Sequence, residues 1–113
     1  MEIQKIQTTR KFDELTENWR TLQVYTFGPL DELDEDEDGY IQVLTAMVDG
    51  QTVAYLIAED TDLWHIETKS GYGGNGYAKQ LAQEANITFA YEVCSDAGVA
   101  LCETLDIEFE DCR

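Results

Sequence analysis

A mixed β-sheet flanked by helices on both faces, of the α+β or α/β class, is the architecture that this sequence of 113 residues predicts. Three observations predict it. β-rich segments crowd the middle of the chain, helical periodicity appears before and after them, and a glycine-rich turn leads from a strand into a helix. The length fits a single domain, residues 1–113, and an apolar share of 43% suffices for one buried core.

The elements follow in order. Glu2 to Gln7 forms a first strand around Ile3 and Ile6. From Arg10 onward Phe12, Leu15, Trp19 and Leu22 recur at steps of three and four behind Thr8 or Thr9 as N-cap, the pattern of an amphipathic helix. Gly28-Pro29 breaks it, and the charge run Asp31 to Asp38 predicts a loop, because like charges repel one another on compaction. Tyr40 to Val48 and Gln51 to Glu59 are strands joined by Asp49-Gly50, a dipeptide suited to a type I′ turn, so they pair antiparallel. Asp62 to Thr68 is the next strand, and strict alternation puts Leu63, His65 and Glu67 on one face with Trp64, Ile66 and Thr68 on the other. After the glycines, Tyr77, Ala78, Leu81, Ala82 and Ala85 share a helical face that Asn86 ends. Ile87 to Val93 alternates as a strand, Ser95 or Asp96 caps a helix through Leu105, and Ile107 to Cys112 is the final strand.

The net charge of −17 repels nucleic acid and anionic membranes and attracts cations or basic partners. The same charge also serves solubility or a salty cytoplasm. Apolar runs such as Val53 to Ala58 are far shorter than a bilayer requires, and MEIQKIQTTRK has no signal-peptide core, so a cytoplasmic location is expected. Without a secretory signal, the glycosylation match at Asn86-Ile87-Thr88 carries no weight. Cys94, Cys102 and Cys112 form an odd set with no CxxC pair, and they read most simply as free thiols.

Asp34, Asp36 and Asp38, followed by Gly39 and Ile41, reproduce the start of an EF-hand calcium loop, although Thr45 stands where its bidentate glutamate belongs and the flanks are not helical. An exposed acidic loop is the competing reading. Gly71, Gly73 and Gly76 match the dinucleotide pattern G-x-G-x-x-G, but the segment before them ends in polar Glu67-Thr68-Lys69-Ser70, and two βαβ halves are not present. A Walker A loop is excluded because no Gly-Lys-Ser/Thr follows.

Four glycines within Gly71 to Gly76 exceed what one turn needs. A helix that starts beyond them presents unpaired N–H groups and about half a positive charge, which makes a receptor for phosphate. With its flanks, IETKSGYGGNGYAKQLAQEA resembles motif A of the GCN5-related N-acetyltransferase (GNAT) superfamily, in which a strand ending V-x-P-x-x-R-G-x-G-x-G/A enters a helix. Thr68 falls at the valine, Ser70 at the proline, Tyr72 at the usual aromatic, and Gly74-Asn75-Gly76-Tyr77-Ala78 at G-x-G-x-G/A. Downstream, SDAGVALCETLDI is similar to the family's N-x-x-A-x-x-x-Y-x-x-x-G-F segment, with Ser95 at the asparagine, Gly98 at the alanine and Cys102 at the tyrosine. The chain departs from the pattern at Gly73, where the family has arginine or glutamine, at Cys102, and at Asp106 in place of glycine.

The resemblance implies a GNAT-like mixed sheet and an acetyl-CoA-dependent N-acetyltransferase. Its diphosphate would lie on the amides of Gly74 to Lys79, near Gly73 and Ser95, with its pantetheine arm along Ile66 to Thr68. Glu67 or His65 would take a proton from the amine, and Cys102 could return one to the leaving thiolate. Each has a plainer reading, as a sheet histidine, a solvated strand end and a small buried apolar group. The implied acceptor is cationic: a polyamine, a lysine or another protein amine. A homodimer stays open, and neither nucleic acid nor membrane is expected as a partner. The alternative is a catalytically inactive acidic GNAT-like binding protein that engages a basic partner or mimics nucleic acid.

Overall fold

β1 (Glu2–Lys5), β2 (Ile41–Val48), β3 (Gln51–Glu59), β4 (Asp62–Thr68), β5 (Phe89–Val93) and β6 (Glu108–Asp111) lie side by side in that order. They belong to a computed structural model that describes residues 1–17 and 28–113. β1 to β4 are antiparallel neighbours, whereas β4, β5 and β6 run parallel. Tight turns suffice for the first kind of pairing. The second requires crossovers, supplied by α2 (Tyr77–Glu84) and α3 (Asp96–Leu105). The turn between β2 and β3 has Asp49 and Gly50 both at positive φ, 50° and 79°, the backbone that a type I′ hairpin demands.

α1 (Thr9–Thr16) begins where the Thr8 hydroxyl accepts a hydrogen bond from the Lys11 amide at 3.1 Å. It buries Phe12 against the sheet, while the expected continuation through Trp19 and Leu22 lies outside the described residues. Of the segment predicted as a loop, Asp31 to Glu35 belongs instead to a 3-10 helix, Gly28–Glu35, and residues 36–38 are irregular as expected. Side chains three apart eclipse one another in that helix, so Leu30 and Leu33 both enter the core and the carboxylates are left outside. Burial of two leucines outweighs charge repulsion that water and salt already screen.

Two of the aspartates at EF-hand spacing brace the main chain. Asp34 accepts hydrogen bonds from the Thr9 amide (2.9 Å) and hydroxyl (2.7 Å), which hold its carboxyl below the usual range. Asp36 accepts from the amides of Tyr40 and Ile41, so the strand starts at Ile41 and Tyr40 remains exposed. Asp38 points to solvent. Among the described residues no cluster of three or more His, Cys, Asp or Glu side chains is arranged to hold a metal ion, and no helix is long and apolar enough to cross a membrane.

Alternation along β3 feeds two cores. Tyr55 and Ile57 pack with Phe12, Leu30 and Val43 beneath α1, and Ala54, Leu56 and Ala58 pack with Leu81, Ala82 and Val99 beneath α2 and α3. Helices therefore cover both faces, and β3 reads as a continuous apolar run because it is buried on both sides. The parallel register of β5 and β6 aligns Val93 with Asp111, which brings the next residue of each strand together. Cys94 and Cys112 form a disulfide there, with Cα atoms 4.9 Å apart, contrary to the expectation of free thiols. Cys102 is free and buried.

α3 sits so close to β5 that a Cβ on Gly98 would lie 2.9 Å from Val93 Cγ1 and 3.0 Å from Ser95 Oγ, the oxygen that caps the helix. Gly98→Ala should therefore destabilise the protein by about 1–3 kcal/mol, the usual cost of overpacking. Urea unfolding followed by circular dichroism measures it, and an unchanged midpoint would mean that the contact relaxes without cost.

Candidate functional site

The side chains of β4 owe their placement to one slipped residue. Tyr55 and Ile57 stand opposite Glu67 and His65, and Ala54, Leu56 and Ala58 stand opposite Thr68, Ile66 and Leu63. The register shifts between Ile57 and Ala58, so Trp64 is an extra, bulged residue. Leu63 consequently joins Ile66 on the α2 face, which corrects the strict alternation that grouped it with His65 and Glu67.

Beyond the bulge β4 and β5 separate. Their parallel ladder consists of Asp62 with Phe89 and Leu63 with Ala90, and the strands then diverge around a cleft of about 790 Å³. That volume lies in the range of roughly 300–1,000 Å³ usual for small-ligand sites. β4 forms one wall, residues 91–94 the other, and the start of α2 together with one side of α3 completes it.

The α2 end of the cleft is built differently from the other helix starts. Thr8 caps α1 and Ser95 caps α3 through their hydroxyls, but the N-cap of α2 is Gly76, at φ 76°, with no side-chain hydrogen bond to the helix amides. Gly74, at φ 81°, likewise needs the left-handed region, and a Cβ placed on either glycine would meet nothing within 4 Å. Among the described residues, open space thus lies over a helix terminus that no side chain caps, the arrangement in which backbone N–H groups receive an anion. The side chain of Asn75 turns inward, donating from Nδ2 to the Tyr72 carbonyl at 3.0 Å, and so braces the loop.

His65, Ile66, Glu67, Thr68, Gly73, Gly74, Gly76, Tyr77, Ala78, Lys79, Ser95 and Cys102 all line this one cleft. Glu67 accepts a 2.6 Å hydrogen bond from the Tyr55 hydroxyl, and His65 Nε2 lies 3.6 Å from the same oxygen. Tyr55 is fully buried. Burial first, then its hydrogen bond and proximity to Glu67, push its ionisation well above that of an ordinary tyrosine. Sequence reasoning missed Tyr55, whose partnership with Glu67 depends on cross-strand register. Burial also raises the Cys102 thiol, which therefore stays protonated at neutral pH.

No family sequence model and no curated protein matches the chain. Solved structures do. A ribosomal-protein-alanine N-acetyltransferase from Brucella melitensis biovar Abortus 2308 aligns with a TM-score of 0.57 and 22% identity, over 93% of this chain and 91% of its own. An aminoglycoside antibiotic 6'-N-acetyltransferase from Acinetobacter haemolyticus aligns with a TM-score of 0.57 and 18% identity, over 100% of this chain and 79% of its own. The fold is that of the GCN5-related N-acetyltransferases. Within a GNAT fold, the glycine segment that resembles motif A is the one that opens α2 onto the cleft. Asp106, found where the motif has glycine, adopts the left-handed backbone (φ 58°) that glycine suits at a helix C-terminus.

The folded protein holds the Tyr55 proton more tightly than an unfolded chain, whose tyrosines ionise near pH ~10. Folding stability therefore falls as pH rises above that value, because the unfolded state releases the proton first. Tyr55→Phe should flatten this alkaline decline, which urea midpoints measured from about pH 9 to 11 would reveal.

Proposed function

We propose that this protein transfers the acetyl group of acetyl-CoA to the primary amine of a cationic acceptor. The observation that carries the reading is the α2 N-terminus, whose N-cap Gly76 supplies no side-chain hydrogen bond and which opens onto the cleft through glycines with free space above them. A protein with seven basic residues and a net charge of −17 has few side chains with which to grip a diphosphate, so main-chain amides are the chemically apt receptor. The amides of Gly74 to Lys79 would hold that group, with Lys79 adding one charge in the first helical turn. Ile66 to Thr68, on the β4 edge freed by the splitting of the sheet, offer main-chain hydrogen bonds to the pantetheine arm.

When bound, acetyl-CoA supplies the activated thioester carbonyl. The Glu67 carboxylate, on a strand that lines the cleft, is the group to draw a proton from the acceptor ammonium, directly or through water, with His65 Nε2 3.6 Å from its Oε2. The Tyr55 hydroxyl fixes the rotamer of that carboxylate. A backbone N–H near Thr68 polarises the carbonyl. Cys102 holds a proton on Sγ in the cleft wall and can return it to a leaving thiolate.

Calorimetric titration with acetyl-CoA tests the binding half of this reading. Gly74→Val should abolish or severely weaken binding, but it also strains a left-handed position, so Gly73 provides the cleaner comparison. Gly73 has ordinary backbone and empty space beside it, and Gly73→Arg should tighten binding by about tenfold, roughly the 1.4 kcal/mol worth of one charge-assisted hydrogen bond. If no variant and no parent protein binds acetyl-CoA, the acidic binding-protein alternative takes over. For the chemistry, Glu67→Gln should lower kcat about 10²-fold or more with little change in acetyl-CoA affinity.

A further inference from the structure

The bulge that turns Trp64 out of the β4 alternation also sets its ring against β5. Trp64 and Tyr91 stack with centroids 4.9 Å apart, and Tyr91 meets Phe89 edge to face at 5.0 Å. The three rings form a continuous ladder across the point where β4 and β5 separate. Trp64 is exposed at its outer end, and both Trp64 and Tyr91 line the cleft. Carboxylates lie near the ladder: Asp62 bears most strongly on the Tyr91 hydroxyl, and partial desolvation, Glu59 and Glu110 add to it, raising its ionisation above the ordinary range. Aromatic faces edged by carboxylates, on a protein of charge −17, attract an alkylammonium group through its charge and through its methylenes.

The geometry also restricts the size of the guest. At the Phe89 end of the ladder, β4 and β5 use their edges on each other, Asp62 with Phe89 and Leu63 with Ala90, so a peptide main chain finds no strand edge to extend beneath that ring. Recognition at the ladder falls to rings and carboxylates, which suits a slender chain of methylenes and amines. Three residues of strand, about 10 Å at ~3.3 Å each, separate Trp64 from Glu67. We infer that the Trp64–Tyr91–Phe89 ladder, with Asp62 at its edge, binds a linear polyamine. One ammonium lies over the Trp64 and Tyr91 rings and another amine, about 10 Å away, reaches the Glu67 carboxylate. The inference deepens the acetyltransferase reading and rests on it for the fate of the second amine, but the binding itself requires no acetyl-CoA.

The chain has two tryptophans, so Trp19→Phe leaves Trp64 as the sole indole reporter. Titration of that protein with spermine in about 0.15 M salt, a level that screens loose surface attraction, should give a saturable change in Trp64 emission without acetyl-CoA. Tyr91→Ala and Asp62→Asn, each checked for native circular dichroism, should each weaken it about tenfold or more, and a tetralysine peptide of the same charge should bind more weakly than spermine. A change that never saturates, equal affinity in folded variants, or tighter binding of the peptide overturns the proposal. If a variant does not fold, nuclear Overhauser contacts between spermine methylenes and the Trp64 ring in the parent protein decide the matter, their absence being refutation. Failure of acetyl-CoA to bind, with spermine binding intact, would overturn the acetyltransferase reading and leave the polyamine site standing.

Discussion

β4 must satisfy two neighbours that run in opposite directions relative to it, and it satisfies them unequally. Toward β3 its ladder extends to Thr68; toward β5 it ends after Leu63. A bulge at the point of departure adds local twist, which helps to turn one strand away from the next. The cleft is therefore a planned interruption of hydrogen bonding, lined on one side by main-chain groups that a sheet would otherwise consume. Small residues keep it narrow. Gly98 lets α3 approach β5 closely, and the uncapped start of α2 closes the far end.

The electrostatic design follows from the shortage of cations. A helix terminus presents fixed partial charge that no rotamer change can withdraw, and it acts over the first turn alone, so a strongly acidic surface can coexist with a small region of positive potential. On the opposite face of β4 the polar chemistry is arranged around Glu67, which a buried tyrosine holds at 2.6 Å. The uncapped start of α2 and the Glu67 carboxylate thus lie along one cleft, supplied by adjoining elements of the chain.

Much of the fold was legible because local chemistry and tertiary structure agree. The limits of β4, the Asp49-Gly50 hairpin and the caps at Thr8 and Ser95 all follow from residues adjacent in sequence. The glycine segment and the helix after it were legible for the same reason. The failures share a cause of another kind. The 3-10 helix exists because Leu30 and Leu33 find a core that the charge run conceals, and the Cys94–Cys112 disulfide depends on β5 and β6 being parallel neighbours in a particular register. The bulge at Trp64 leaves no trace in composition, yet it reassigns Leu63 and creates the aromatic ladder. Tyr55 could be joined to Glu67 only by counting residues across a hairpin whose register was still unknown.

The sparse seam between β4 and β5 has a thermodynamic corollary. Any guest wedged in the gap sutures the antiparallel half of the sheet to its parallel half, and a molecule that prefers the native chain raises its stability by RT ln(1 + [L]/Kd). Occupancy and folding are then linked quantities, so the lifetime of the polypeptide itself becomes a gauge of how much of that guest its surroundings contain.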